Sequence, residues 1–260
     1  MPIVGFKCIK THENVSFDKC ISCALTYENK CHYTAGILHG IREQIREPRD
    51  VISVTRLIGC PRGTYLLNKN DVYVSPEKLY WAFRGTLAHT VLQKYNIDED
   101  AILEKRFNRT IKGIKISGQP DLIVPKHKLL IDYKTSKEVP FFNKVYSNHE
   151  IQLNIYRWLI SKHYKIDRLE VVYMDMGRVK TIPVKNIWKL ADCEDYVLKH
   201  ATVIAEAFKT NIPPKVPSEF PLYWQCRDYC ECNRVCAKIY KDELRVDFDK
   251  WAETEWCKDE

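Results

Sequence analysis

Apolar residues recur four apart in "SPEKLYWAFRGTLAHTVLQKY", at Leu79, Phe83, Leu87 and Val91, directly after Ser75 and Pro76. Serine accepts from free N–H groups and proline fits the first helical position, so the stretch predicts a helix from Ser75 with one apolar stripe. From about 104 to 134 the pattern shortens to β-rich runs, "RFNRTIKGIKI", "DLIV" and "KLLIDY", separated by Gly, Pro and Lys/His turns. These predict an antiparallel meander. A helical period returns around "EIQLNIYRWLISKHY". A hairpin-like pair follows, "RLEVVYMD" and "RVKTIPV", turning at Asp175 to Gly177, and then a helix through "CEDYVLKHATVIAEAFK". The four prolines of "NIPPKVPSEFP" predict an extended linker. Helix, strands, helix, strands, helix is the order of an α/β core with helices flanking a mixed sheet. Residues 1 to 50 carry no sustained period, which points to a small module held by metal rather than by a core.

Composition narrows this picture. With 45% hydrophobic residues in 260, the chain can bury a sizeable core. No run of 18 apolar residues occurs, and "MPIVGFKCIK" lacks the apolar stretch of a signal peptide, so the expected location is cytoplasmic with no membrane partner. The net charge of +7 suits a polyanionic partner without demanding one. No GxxxxGK[ST] phosphate loop is present, which argues against an ATP-driven motor. Eleven cysteines in a reducing compartment, several closely spaced, point to metal rather than to disulfides.

The charged residues of "GQPDLIVPKHKLLIDYKTS" fall where strands should bury apolar side chains. Asp132 and Lys134 are two apart on a strand and project from one face, with Asp121 able to lie across from them. Two carboxylates can hold Mg²⁺ or Mn²⁺, while the lysine can orient or help deprotonate a water beside the ion. That is equipment for attacking a phosphodiester; the plainer reading of a bare DxK is an ion pair at a strand end. His89 follows Gly85 by four on the predicted helix, so a neutral imidazole could complete the ligand set, the glycine leaving room beside it. Gln152 and Tyr156, also four apart, share a helix face suited to hydrogen-bonding a phosphate, the lysine or a base.

Together, "GTLAH", "GQPD", "DYK" and "QLNIY", in that order, resemble the GxxxH, GxxD, (D/E)xK and QxxxY motifs of the RecB-like branch of PD-(D/E)xK nucleases. "SVTRLIGCPRGTYL", residues 53 to 66, is similar to the opening signature of the iron-sulfur members, the CRISPR-associated RecB-like exonucleases and the AddB nuclease domain, with Thr55 where those often have serine. The resemblance covers about residues 53 to 236. It implies a restriction-endonuclease-like core and metal ligation by His89, Asp121, Asp132 and the backbone carbonyl of Tyr133. Lys134 would activate water, and Gln152 and Tyr156 would position DNA and the lysine.

The resemblance also implies a [4Fe-4S] cluster held by Cys60 and three cysteines of "CRDYCECNRVC". That tail offers four: Cys226, Cys230, Cys232 and Cys236. The family ending CxxxxxC matches Cys230 to Cys236, which leaves Cys232 as the spare thiol; the gap before Cys230 is three residues where the family has two. Because thiolates suit both metals, a local four-cysteine zinc site with Cys60 left in the core is the alternative. At the other end Cys8, Cys20, Cys23 and Cys31, with the tight "CISC" bite, suit tetrahedral zinc as four thiolates, or as three with His32 or His12. Cys193 and Cys257 need only ordinary packing or surface positions.

The expected organisation is a Cys-rich module over 1–50, a nuclease core over 51–220 and an iron-sulfur cap over 221–260. Arg84, Lys137 and the aromatics of "PFFNKVY" would line a path for DNA. The expected activity is a Mg²⁺/Mn²⁺-dependent exonuclease on single-stranded DNA, partnered with a CRISPR integrase complex in spacer acquisition or with a DNA-repair helicase. The rival from another class is a noncatalytic, metal-stapled DNA-binding subunit; intact Asp121, Asp132 and Lys134 argue against it.

Overall fold

A computed structural model describes residues 3–26, 31–45, 51–96, 98–216, 226 and 230–239. Most of the expected cap over 221–260, with Cys257 and the second half of the proline-rich linker, lies outside the described residues.

The chain opens with strands β1 (Ile3–Lys7) and β2 (Asn14–Ser16), then helices α1 (Phe17–Leu25) and α2 (Ala35–Glu43). A two-residue strand β3 (Ile52–Ser53) leads into a helical turn α3 (Val54–Leu57), helix α4 (Pro61–Lys69), strand β4 (Val72–Val74) and the long helix α5 (Pro76–Lys94). β1 pairs antiparallel with β2 and parallel with β4, giving one three-stranded sheet, order β2-β1-β4. As its sequence predicts, α5 begins at Pro76 with Ser75 accepting from the N–H of Glu77. Its apolar stripe is only half covered, however. Leu79 and Phe83 pack against the N-terminal module, whereas Leu87 and Val91 are exposed by 50% and 54%, because the module spans only the first half of the helix.

Strands β5 (Ile102–Leu103), β6 (Phe107–Ile111), β7 (Ile114–Gly118), β8 (Leu122–Val124) and β9 (Leu129–Thr135) occupy the stretch expected to form a meander. They do not form one. β6 and β7 join β3 in a small sheet, while β8 and β9 belong to a five-stranded sheet of order β11-β10-β9-β8-β5. The break falls at Gly118, where the backbone runs under helix α6 (Ser147–Ile160): a Cβ there would come within 2.6 Å of Leu159 Cδ2 and 2.8 Å of Tyr156 Cε1.

α6 connects β9 to its parallel neighbour β10 (Arg168–Met174), as a crossover between parallel strands requires. β10 then turns back through the predicted hairpin to β11 (Val179–Pro183), and α7 (Leu190–Thr210) follows. A short helix α8 (Asn233–Ile239) lies near α4. The main core gathers Leu130, Leu153, Trp158, Val171, Tyr173 and Val197 from β9, α6, β10 and α7. Arg109 clamps this packing. Its guanidinium stacks 4.0 Å over Trp158, donates to the Trp158 carbonyl at 2.8 Å and meets Glu194 at 2.8 Å, while the Trp158 indole N–H donates to the same carboxylate. Cys193 sits fully buried in this core, its ordinary packing role. The architecture is mixed α/β, with sheets flanked by helices in the manner of a restriction-endonuclease-like core. Among the described residues, no helix is long and apolar enough to cross a membrane.

Candidate active site

The site forms where α5 crosses the strand pair β8–β9. Register sets it up: Leu122 pairs with Ile131, so Asp121, one residue earlier, falls opposite Asp132. Asp121 Oδ2 accepts the N–H of Tyr133 at 2.7 Å, fixing the carboxyl against the strand. Asp132 shares a strand face with Leu130 and is almost fully buried. Lys134, two residues on, brings its Nζ to 2.6 Å from Asp132 Oδ2. The pair is close but poorly aligned, and Oδ2 has no geometrically acceptable hydrogen bond. The contact is therefore Coulombic, with a lone pair left free for another cation.

From α5, His89 reaches the same place. Its Nδ1 stands 3.0 Å from Glu104 Oε1 and 3.4 Å from Asp121 Oδ1, and its Nε2 stands 3.3 Å from the Tyr133 carbonyl. Acceptors on both sides of the ring favour the imidazolium, and the bond to Glu104 chiefly raises its pKa against the pull of burial. Asp121 is pushed up to about 7, first by burial and then by the charge of Asp132. Two acids held together in this way create a demand for positive charge. The donors of Glu104, Asp121 and His89 lie within 4.8 Å of one another, rich in carboxylate oxygen as a hard divalent cation requires. A small pocket lined by His89, Gln93, Asn96, Glu104, Asp121 and Tyr133 opens beside them.

Glu104 is the residue that sequence reasoning missed. It sits just after β5 at a left-handed φ of +47°, its N–H bonded to the Asp121 carbonyl at 3.0 Å and its carboxylate receiving the Gln119 amide at 2.6 Å. A non-glycine residue in that region is strained, and strain of this kind gathers at sites. No motif marks the residue; only its ligand chemistry and its nearness to "GQPD" could have raised it. Asp132, conversely, lies outside the 4.8 Å group, committed to Lys134. Gln152 and Tyr156 are both buried on α6 as neighbours, the amide donating to the phenol oxygen at 3.1 Å, and Tyr156 feels Asp132, Asp121 and Glu104 electrostatically. Their bond is to each other rather than to Lys134. Gly85 faces Thr135 of β9, whose Oγ1 would lie at an ordinary 3.5 Å from a Cβ placed there.

The C-terminal thiols gather beside α4. Cys60 precedes that helix, and the backbone N–H groups of Arg62 and Gly63 approach its sulfur, although burial dominates and raises the thiol. Its charge is felt by Cys226, Cys230 and Cys232, and that of Cys236 by Cys226 and Cys232, so all five thiols share one neighbourhood. Burial first, and the neighbouring thiols Cys60 and Cys236 second, push Cys226 up to about 11; burial first, then Glu231, then Cys236 and Cys60 push Cys232 up to about 12. Lys78 of α5 donates to the Cys230 carbonyl at 2.9 Å.

No curated protein matches the chain in sequence comparison. The chain is similar in structure to SSO0001, with a TM-score of 0.56 and 21% identity over 80% of this chain and 95% of that one. It also matches a phage-related exonuclease from Haemophilus somnus 129PT at 13% identity, TM-score 0.41, over 74% of this chain and 95% of that one. The profile of the PD-(D/E)XK nuclease superfamily matches residues 99–237, which include Asp121, Asp132, Lys134, Gln152 and Tyr156 and make up more than half of the sequence. By that match the chain belongs to the PD-(D/E)XK nuclease superfamily.

Proposed function

We propose that the chain hydrolyses phosphodiester bonds of single-stranded DNA as an exonuclease, with Mg²⁺ or Mn²⁺ held by His89, Asp121, Asp132 and the Tyr133 carbonyl. The observation that carries this reading is the convergence of a buried acid pair, an imidazole and one ammonium at a single strand edge. The ion, when bound, stabilises charge on the phosphoryl oxygens and lowers the pKa of a coordinated water. The chain's own groups supply the rest. Glu104 holds the His89 ring in place through Nδ1, which leaves Nε2 to ligate once it loses its proton. Lys134, an ammonium beside Asp132, would orient the attacking water or stabilise charge on the departing oxygen. Gln152 and Tyr156 close the buried side of the site.

The same reading places a [4Fe-4S] cluster on Cys60, Cys226, Cys230 and Cys236, clamping α4 to the C-terminal segment and leaving Cys232 spare. Supporting it, these four thiols gather in one neighbourhood beside α4, with Cys226 feeling Cys60 and Cys236 and Cys230 feeling Cys60. The biological setting we favour is spacer acquisition beside a CRISPR integrase complex, or DNA repair beside a helicase, in the cytoplasm.

The test is incubation of end-labelled single-stranded DNA with Mn²⁺ and wild-type, Asp132→Ala and Lys134→Ala proteins. Shortening from an end by the wild type, lost in both variants, is expected. An inert wild type, or variants as active as it, refutes the reading. Colourless protein after anaerobic purification, with zinc and no iron or sulfide at the C-terminal thiols, refutes the cluster.

A further inference from the structure

The N-terminal module has little core of its own. Among its described residues only Phe6, Leu38 and Ile41 combine full burial with membership of the local apolar cluster, and Leu79 and Phe83 of α5 complete it. So few buried side chains rarely hold some 40 residues together without a staple. Yet the segment is well defined. Ser16 caps α1 by accepting from the N–H of Lys19, Thr34 caps α2, and Asp18 of α1 meets Arg42 of α2 at 2.7 Å.

Three separate parts of this module present cysteines to one another. Cys8 ends β1 in a tight turn, its N–H donating to the Glu13 carbonyl at 2.9 Å and its carbonyl accepting from His12, which adopts a left-handed φ of +58°. Within that turn the backbone N–H groups of Thr11 and Lys10, with the Thr11 side chain, approach the Cys8 sulfur. N–H groups from the second and third residues beyond a cysteine stabilise negative charge on sulfur, as a metal-binding thiolate needs. Cys20 and Cys23 stand three apart on α1, on one helix face. Cys31 enters from the segment that precedes α2. Cys20 is the meeting point: Cys31, Cys8 and Cys23 all lie within electrostatic reach of its sulfur. None of the four is joined in a disulfide.

We propose that Cys8, Cys20, Cys23 and Cys31 form a structural zinc site that staples the β1–β2 turn, α1 and the approach to α2. Four thiolates around one ion match the closed tetrahedral sets of structural zinc, with sulfurs about 3.8 Å apart. No three of these thiols lie that close. Cys23 is exposed, however, and the other three are only half-buried, so side-chain rotation can draw them onto an ion. The site also acts at a distance. α2 seats Gly40 against Phe83 of α5, where a Cβ would come within 2.7 Å of Phe83 Cε2, and α5 carries His89 six residues further on. Stapling the module therefore fixes one side of the helix that enters the candidate active site, without sharing any of its residues.

The full chain, purified anaerobically, tests this by metal analysis of the wild type beside Cys20→Ser/Cys23→Ser and Cys60→Ser/Cys236→Ser double variants. About one zinc per chain is expected in the wild type, retained in the C-terminal double variant and lost in the N-terminal one. Should the N-terminal variant fail to fold, wild-type protein produced with Co²⁺ in place of zinc provides a second reading: thiolate-to-metal charge-transfer bands with tetrahedral ligand-field absorption. Zinc retained in the N-terminal variant, iron lost from it in place of zinc, or a wild type that holds neither zinc nor tetrahedral cobalt overturns the site. None of these outcomes depends on cleavage of DNA.

Discussion

Lys134 Nζ lies 2.6 Å from Asp132 Oδ2 on one face of β9, with the acid buried and the ammonium partly exposed. Removing the ammonium leaves a buried carboxylate uncompensated. Lys134→Ala is therefore expected to lower metal-free stability by about 3 kcal/mol, measured by urea unfolding. Saturating Mg²⁺ should return part of that loss, because the cation takes over the charge; equal losses with and without Mg²⁺ would show that the ion does not reach Asp132. The same variant should cleave roughly 10²–10⁴-fold more slowly even at saturating metal.

Glu104 bonds His89 Nδ1 at 3.0 Å and sits in the small group of donors able to share an ion. Partners that orient a ligating imidazole typically contribute 10–100-fold in affinity. Glu104→Gln should accordingly weaken Mn²⁺ binding by about 10- to 100-fold in a calorimetric titration, with cleavage at low Mn²⁺ falling in parallel and recovering at high Mn²⁺. An unchanged titration would reduce Glu104 to a prop for the loop after β5.

These two residues mark how far the sequence could be read. Asp132 and Lys134 were visible because a strand has a period of two, so parity alone puts them on one face. Glu104 was invisible because it reaches His89 through a left-handed turn, and no periodicity survives such a turn. The meander failed for a related reason: the runs of β6 to β9 were legible as strands, but the sheet each joins depends on α6 covering Gly118, a contact about 40 residues away in sequence. Leu87 and Val91 repeat the lesson, since a helical period fixes which residues share a stripe and not how much of the stripe a neighbour covers.

His149 is expected to govern part of the acid sensitivity. Tyr173 receives the Tyr146 N–H on its oxygen and shares a hydrogen bond of 2.9 Å with His149 Nδ1. Burial first, and Lys134 second, lower its pKa from 6.5 to about 3. Between those values the unfolded chain binds a proton that the folded chain refuses, so stability must fall as pH drops from about 6.5 toward about 3. Urea midpoints over that window should decline less steeply in His149→Asn, whose side chain can still accept the tyrosine hydroxyl. Parallel slopes for the two proteins would assign the acid sensitivity elsewhere.

Phe141 and Phe142 are exposed by 90% and 76%, ring edge against ring face at 5.2 Å, in the loop that follows the strand of Lys134. The backbone beneath them is pinned from below: Lys180 donates to the carbonyls of Pro140 and Phe141, and Asp175 accepts the N–H of Val139. A loop held this firmly while presenting two bare aromatics gains nothing in stability from the rings, so each can be truncated at a cost within about 0.5 kcal/mol. Stacking on an unpaired base is worth about 1–3 kcal/mol. Phe141→Ala and Phe142→Ala should therefore leave thermal unfolding nearly unchanged while raising KM for single-stranded DNA by roughly 5- to 100-fold, with kcat little altered. If KM stays constant in both variants while DNA is still cleaved, the strand takes another path into the site, and the exposed rings of Trp81 on α5 and Tyr95 at its C-cap become the next surface to probe.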